Sequence, residues 1–187
     1  MCASFKELIR VVSNERSCPL LLEYNADVVD SVAESIKAQQ AIVQDLKEKL
    51  STLDEIHQKF VQAMELEIFR WSYLIRVYMI TRFKKIQSLI GRLIIPMENK
   101  LTNNERNFCI NYEEALSAGL DESNLAFSEE IEDLSPFVFF RALKDKGPTL
   151  LSSSETNETM EIFKDQIYFA RLEHVKPLID QREAVLI

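Results

Sequence analysis

The longest periodic stretch of the chain covers residues 57–95, which contain no proline and a single glycine, Gly91. One apolar row recurs there in alternating steps of three and four residues: Phe60, Met64, Ile68, Trp71, Ile75 and Tyr78. A second row marks another face: Leu66, Phe69, Tyr73, Val77, Ile80 and Phe83. Such spacing is typical of a helix, and a helix lying on a domain surface needs only one apolar stripe. The pattern therefore predicts a helix that is central or shared with a partner chain.

Two shorter helices are predicted before it. Residues 4–14 carry apolar positions at helical spacing, and a Ser-Cys-Pro break follows at 17–19. A longer helix from Asp27 to about residue 50 has a heptad-like seam: Val29, Val32, Ile36, Val43, Leu46, Leu50 and Leu53. Capping signals at residues 51–55 predict a turn, so the central helix begins near Leu53. It ends before Pro96, because proline disfavours helix in the preceding residue.

A fourth helix is predicted after the central one. Thr102 followed three residues later by Glu105 is a capping-box signal, in which each residue satisfies a backbone N–H of the other. The helix that it opens carries Phe108, Tyr112 and Leu116, and Gly119 is well placed as its end.

The pattern changes towards the C-terminus. Residues 137–143, 160–163, 167–172 and 184–187 predict strands, with a break at 146–148, a polar loop at 152–159 and a helical turn at 175–179. Because Val185, Leu186 and Ile187 reach the last position, we expect a buried terminal strand. About fifty residues make a β-rich module that is marginal alone. The predicted fold is α+β, mainly α: a helical domain at 1–119, an acidic linker at 120–135 and a β-rich domain at 136–187.

Charge changes the functional picture. The chain has 22 basic and 30 acidic residues, a net charge of −8. Residues 97–135 alone hold ten acids against Lys100 and Arg106, which is 2 − 10 = −8. A protein that grips nucleic acid usually has a basic surface, so weak direct DNA binding is expected. The acidic tract 121–133 is either a docking peptide for a basic partner or a solvated linker.

Candidate chemistry is sparse. His57 and His174 have no metal-ligand spacing, and no Ser-His-Asp set, phosphate loop or C-x-x-C pair is present. No run of about 18 apolar residues predicts a membrane-spanning helix. The three cysteines are odd in number and are interpreted as reduced thiols of an intracellular protein. We therefore predict a non-catalytic protein without cofactor, metal, small-molecule ligand or membrane.

The arginines of the central helix have two readings. At about 100° per residue, Arg70, Arg76 and Arg82 do not share a face, which favours structural roles over a DNA-facing patch. Arg82 falls in line with Ile75 and Tyr78 on the apolar seam. Because an unpaired buried charge is very costly, Arg82 is predicted to form an interhelical or inter-subunit ion pair.

Several spaced motifs together resemble the GINS family of DNA replication proteins. They are Glu67-x-x-Arg70, Tyr78-x-x-x-Arg82-x-x-Lys85-Ile86, Leu101-Thr102-x-x-Glu105-x-x-Phe108-x-x-x-Tyr112, and the closing segments 138–143, 175–179 and 185–187. The resemblance covers essentially the whole chain. It implies a helical A domain followed by a small β-rich B domain.

The resemblance also implies partners. These are three paralogous subunits in a heterotetramer, and, through that complex, the hexameric MCM motor and its cell-division-cycle cofactor, which together form the active replicative helicase in the nucleus. Interface or structural roles are expected for Ile68, Arg70, Trp71, Ile75, Tyr78, Arg82, Lys85, Ile86, Phe108, Tyr112, Val185, Leu186 and Ile187. The alternative is a helical-bundle adaptor outside replication, for which the C-terminal β module has no evident use.

Overall fold

The structure, a computed structural model, describes residues 2–48, 55–91, 100–119, 136–151 and 159–187. Within these ranges the helices are α1 (Cys2–Ser17), α2 (Ala26–Glu48), α3 (Glu55–Gly91), α4 (Asn103–Gly119) and α5 (Leu172–Asp180). The strands are β1 (Phe137–Ala142), β2 (Lys146–Leu150), β3 (Thr159–Ile162), β4 (Ile167–Arg171) and β5 (Ala184–Leu186). A mainly helical chain with a small C-terminal β region confirms the predicted fold class.

The N-terminal helices agree with the hydrophobic periodicity, with one extension. α1 continues to Ser17, three residues past the predicted end, and Cys18 N still donates a hydrogen bond to Asn14 O at 2.9 Å. Pro19 then stops the helical ladder, because it has no N–H to donate. The turn predicted at 51–54 and the seam residues Leu50 and Leu53 lie outside the described residues, as does Pro96.

The capping box of α4 is formed as predicted. Glu105 Oε2 accepts hydrogen bonds from Thr102 N at 2.8 Å and from Thr102 Oγ1 at 3.1 Å. Glu105 N in turn donates to Thr102 Oγ1 at 3.2 Å. These bonds satisfy two N–H groups that the first turn of a helix leaves without a partner. The helix ends at Gly119, as expected.

The strands form two antiparallel sheets. β1 is the middle strand of a three-stranded sheet in the order β4-β1-β5, and β2 pairs with β3. The break predicted at 146–148 is wrong, because Lys146–Leu150 is a strand. Pro148 cannot donate to a ladder, and the register of the pair shifts between Lys146 and Thr149. The helical turn predicted at 175–179 is the longer helix α5.

The described chain separates into two compact units, and both α1 and α3 contribute to each. Unit 1 comprises Met1–Val12 and Tyr24–Arg82. Its core joins α1, α2 and α3 through buried apolar side chains: Leu8, Val11, Val12, Val28, Val29, Val32, Ile36, Trp71 and Tyr78. The Phe5 and Trp71 rings stack with their centroids 5.6 Å apart.

Unit 2 comprises Ser13–Glu23 and Phe83–Ile187. The inner face of the three-stranded sheet packs on α5 through Val138, Phe140, Ala142, Ala170, Val175 and Leu178, and Cys18 joins the same cluster. A second cluster contains Leu21, Ile86, Ile90 and Cys109. The sheet thus shares its core with residues from the start of the chain. The predicted domain boundaries at 119–120 and 135–136 stay a prediction, since residues 120–135 lie outside the described ranges.

Candidate protein–protein interface

One face of α3 is buried by the chain itself. Tyr78, Ile86 and Arg82 are fully buried and Trp71 is nearly so, whereas Ile68 and Ile75 are half-buried against the core of unit 1. The Tyr78 hydroxyl accepts a hydrogen bond from Asn25 N at 3.3 Å. This face therefore holds six of the residues predicted to have structural or interface roles, and it uses them for internal packing.

Arg82 is the most unusual member of the buried face. Its guanidinium carbon lies 5.3 Å from the ring centroid of Tyr24 and 5.6 Å from that of Tyr78. A desolvated arginine over an aromatic face gains a cation–π attraction of about 2 kcal/mol. The side chain thus belongs to the core of unit 1, and the ion pair expected for it stays a prediction.

Lys85 is held by residues that the sequence reasoning did not identify. Its Nζ lies 2.8 Å from Glu15 Oε1 and 2.9 Å from Leu20 O, and it also donates to Glu15 O. Three acceptors match the three N–H donors of an ammonium group. Glu15 is 1% exposed. Its position seven residues after Leu8 puts it on the apolar row of α1, which is the sequence signal that marks a buried acid.

A second apolar row of α3 remains exposed, and we call it the outer row: Leu66, Phe69, Tyr73 and Ile80, with exposures of 51%, 65%, 55% and 46%. At about 100° per residue its mean direction is roughly 160° from that of the buried face, so the two lie on opposite sides of the helix. Val77 and Phe83, predicted on this face, are half-buried. Large contiguous exposed apolar surfaces mark interaction sites.

The remaining basic residues of α3 do not form a common surface with Arg82. Arg70, Arg76 and Lys84 are exposed, whereas Arg82 is buried. Glu65 forms an ion pair with Lys47 of α2 at 2.6 Å. Arg82 is therefore not part of any surface that the three exposed basic residues form.

The aromatic residues predicted on α4 pack within unit 2. The Phe108 ring meets Phe83 edge-on with centroids 4.8 Å apart and stacks on Tyr112 at 5.7 Å. Both residues of α4 lie against the cluster around Ile86 and Ile90. Aromatic pairs of this kind add roughly 0.5–1.5 kcal/mol to the free energy gained by burial.

The C-terminal strand is anchored by α1. Asn14 Oδ1 accepts a hydrogen bond from Leu186 N at 2.8 Å, and Ser13 Oγ donates to Leu186 O at 3.1 Å. Leu186 and Val185 are buried as expected for a terminal strand, but Ile187 is 56% exposed. The two α1 side chains thus complete the hydrogen bonding of a backbone edge that would otherwise lack a strand partner.

Cys18 and Cys109 are buried cysteines whose titration is shifted by their surroundings. Burial raises the pKa of the Cys18 thiol, and it also raises that of Cys109. Both cysteines are free. Among the described ranges no three His, Cys, Asp or Glu side chains are grouped to hold a metal ion. Across the described helices no stretch combines the length and apolar character needed to cross a membrane.

Comparison with known proteins turns the resemblance into specific matches. No family model matches the chain. It is 27% identical over 187 residues to the DNA replication complex GINS protein SLD5 of Dictyostelium discoideum, covering 89% of this chain and 83% of that protein. It is 24% identical over 209 residues to the protein of the same name from Arabidopsis thaliana, covering 100% of this chain and 93% of the relative. Both matched proteins carry the name GINS protein SLD5, and each match extends over most of this chain.

Proposed function

We propose that this chain is a non-catalytic structural subunit of a GINS complex in DNA replication, and that it acts by binding other subunits. The similarity to two proteins named as SLD5 of the GINS complex supports the assignment. The structural observation that supports it best is the pair of opposite apolar faces on α3. One face fills the core of unit 1, and the outer row has no counterpart in the described chain that buries it.

The outer row is large enough to contribute strongly to an interface. From Leu66 to Ile80 it extends about 21 Å at 1.5 Å per residue. Complete burial of a large apolar side chain stabilises by roughly 1.5–3 kcal/mol, and about half of each is already buried here. Four side chains would therefore contribute several kcal/mol on association. Phe69 and Tyr73 are the residue types that dominate binding energy at interfaces.

The finer assignment follows the family resemblance. The chain assembles with three paralogous subunits into a heterotetramer in the nucleus. That complex joins the MCM hexamer and its cell-division-cycle cofactor to form the active replicative helicase, while this subunit acts by binding alone. The buried Tyr78, Arg82 and Ile86 then serve to hold α3 in place, so that the outer row is presented as a rigid surface.

Co-expression with the three other GINS-type proteins tests the proposal. We expect a stable equimolar four-chain particle on size-exclusion chromatography. The double substitution Phe69→Ser and Tyr73→Ser should reduce co-purification at least tenfold, because it removes both aromatic side chains from the outer row. Phe69→Leu, which keeps an apolar side chain, is the matched control and should assemble normally.

A different outcome favours the adaptor function. A soluble monomer that ignores the three GINS-type proteins would contradict the proposal, and so would normal assembly of the double variant. In the adaptor alternative the outer row still binds a helix, but the partner lies outside replication and no four-chain particle forms. The stoichiometry of the purified particle therefore separates the two functions.

A further inference from the structure

The three-stranded sheet has a second face that α5 does not cover. Its inner face carries the alternate residues Val138, Phe140 and Ala142 of β1, which are buried. The opposite face, here called the sheet face, presents exposed apolar side chains: Phe137, Phe139, Ile167, Phe169 and Ile187, with exposures of 38%, 56%, 61%, 48% and 56%. This surface belongs to unit 2 and is distinct from the outer row of α3.

The aromatic side chains of the sheet face form one cluster. Phe139 lies opposite Phe169 in the register of β1 and β4, and their ring centroids are 4.7 Å apart. Phe137 stacks on the same Phe169 ring at 5.1 Å. Ile187 N donates a hydrogen bond to Phe139 O at 3.1 Å, which places the last residue beside the cluster. The result is a contiguous apolar surface across three strands, a feature that marks an interaction site.

The charges on the sheet face have one sign. Arg141 lies opposite Ile167, and Arg171 lies opposite Phe137 with its guanidinium carbon 5.3 Å from that ring. Within the paired registers of the three strands this face carries these two arginines and no aspartate or glutamate, and Glu183, opposite Leu143 just beyond them, forms an ion pair with Lys146 at 2.8 Å. In a chain of net charge −8, this is a local surface that is both apolar and positively charged. Its electrostatic complement is an apolar surface that bears carboxylates.

The dimensions of the sheet face suit a single helix. Three strands about 4.8 Å apart span roughly 10 Å, which is close to the diameter of an α-helix with its side chains. Arg171 lies opposite Phe137, which is four residues from Arg141 along β1. The two arginines are therefore separated by about 13 Å in the direction of the strands. That distance is about two and a half turns of helix. Two carboxylates at this spacing on one helix would reach the two arginines.

We infer that the sheet face docks one amphipathic helix of a partner protein, whose apolar side covers the phenylalanine cluster and whose carboxylates pair with Arg141 and Arg171. The bound helix completes a three-layer arrangement in which the sheet lies between α5 and the partner. Arginine suits this role, because its planar guanidinium binds a carboxylate through two parallel hydrogen bonds. The inference goes beyond the proposed function, which depends on α3.

Single-stranded nucleic acid is the competing ligand for aromatic rings on a sheet. Proteins that bind single-stranded nucleic acid stack its bases on exposed aromatic rings within a positively charged groove. Here Phe137 and Phe169 already stack on each other, so part of their ring surface is occupied. The net charge of −8 also repels a phosphate backbone at long range. Both observations favour the acidic helix.

A peptide display selection against the full-length chain, used in the form in which it purifies, tests the inference. The probe is a library of 20-residue helical peptides with randomised apolar and flanking positions. We expect enrichment of peptides with an apolar stripe and two acidic positions about seven to nine residues apart. Phe139→Ser should weaken the binding of enriched peptides at least tenfold. Ile110→Ser, at an exposed apolar position of α4 outside both the sheet face and the outer row, is the matched control and should leave peptide affinity unchanged.

Charge exchange provides a readout that a folding defect does not mimic. Arg141→Glu should weaken the binding of the acidic peptides about tenfold. A peptide with lysine in place of the matching acid should bind the variant with the original affinity. Circular dichroism checks that each variant is folded. Phe139→Leu is the conservative variant, because it keeps an apolar side chain at this position of the sheet face. Failure of the exchange, or enrichment of basic peptides, would overturn the inference.

Two further measurements cover the other occupants. Analytical ultracentrifugation of the chain with Phe139→Ser detects self-association through the sheet face, and loss of a dimer in this variant would assign the face to a second copy. Fluorescence anisotropy with a labelled single-stranded oligothymidine tests nucleic acid. Oligonucleotide binding that depends on Phe139 and Arg141 would assign base stacking, and not helix docking, to the sheet face. Either result would contradict the docking of an acidic helix.

Discussion

Lys85 of α3 and Glu15 of α1 form an ion pair at 2.8 Å although they are seventy residues apart in the chain. The carboxylate is 1% exposed and the lysine side chain 15% exposed. Lys85 also donates to the backbone carbonyls of Glu15 and Leu20. The ammonium group therefore ties α1 and the segment after it to the end of the long helix, within unit 2.

Removal of the lysine should destabilise the chain severely. Lys85→Ala is expected to lower the free energy of unfolding by about 3–5 kcal/mol, because it leaves the Glu15 carboxylate buried without its cation. Lys85→Arg should also be destabilising, since a planar guanidinium does not reproduce the three-donor geometry. Urea denaturation measures both. Lys84→Ala, at an exposed position, is the control and should change the unfolding free energy by less than about 0.5 kcal/mol. A small effect of Lys85→Ala would mean that the pair contributes little.

The contact between Asn14 and Leu186 should be equally measurable. Asn14→Ala removes the acceptor of a buried backbone N–H and is expected to cost about 1–3 kcal/mol. Ser13→Ala should cost less, because its hydroxyl only donates to a carbonyl that keeps another lone pair. Hydrogen exchange of the β1 amides measures whether the three-stranded sheet opens before the whole chain unfolds. Deletion of residues 184–187 should unfold or detach the β-rich part, and an unchanged melting profile would contradict that expectation.

Arg82 is expected to be irreplaceable by lysine. Arg82→Ala and Arg82→Lys should each lower the free energy of unfolding by about 2 kcal/mol or more, because both lose the guanidinium that packs over Tyr24 and Tyr78. Thermal denaturation monitored by circular dichroism provides the measurement. Arg70→Ala serves as the exposed control and should melt like the unaltered chain. Unchanged stability together with unchanged subunit assembly in Arg82→Ala would also refute its predicted ion pair.

The two faces of α3 predict different phenotypes for the same substitution. Ile68→Asp and Ile75→Asp place a charge against the core of unit 1 and should lower the melting temperature of the chain itself. Phe69→Asp, on the outer row, should melt normally and lose subunit assembly. Melting curves combined with co-purification distinguish the cases. Equal destabilisation by all three substitutions would show that the outer row is also part of the chain's own core.

Acid sensitivity should depend in part on Glu183. A hydrogen bond from Lys146, 2.8 Å away, lowers the pKa of this carboxyl below its ordinary value of 4.5. Since the folded pKa is depressed, the stabilising contribution is complete above pH 4.5 and is lost as the pH falls through the folded pKa. Glu183→Gln should therefore lower the melting temperature near neutral pH but not in strong acid. A difference from the unaltered chain that does not depend on pH would contradict this assignment.

Much of the fold is visible in local sequence patterns. The central helix, its two apolar rows and the α4 capping box all follow from residues within a few positions of one another, and the structure has each of them. β2 was not predicted, because Gly147 and Pro148 are ordinary signs of a loop. Their presence in a strand requires a partner, and β3 supplies it from beyond residue 158.

The candidate sites show a similar division. The sequence marks Phe69 and Tyr73 as apolar residues on a second helix face, but it does not show whether that face is covered. Likewise, alternation in β1 indicates two sheet faces without showing that α5 packs on only one of them. Glu15 and Asn14 were missed because their partners, Lys85 and Leu186, lie 70 and 172 residues away.

By itself the sequence determined the helices and the strands other than β2, the positions at which the long helix is apolar, and the family that the chain resembles. These properties arise from periodicity, capping and spaced motifs, which act over short distances along the backbone. Only the tertiary structure decided which apolar face is buried, which acid pairs with Lys85, and what closes the last strand. Such contacts depend on the path of the chain through space, because side chains distant in sequence become neighbours only when the helices and sheet pack.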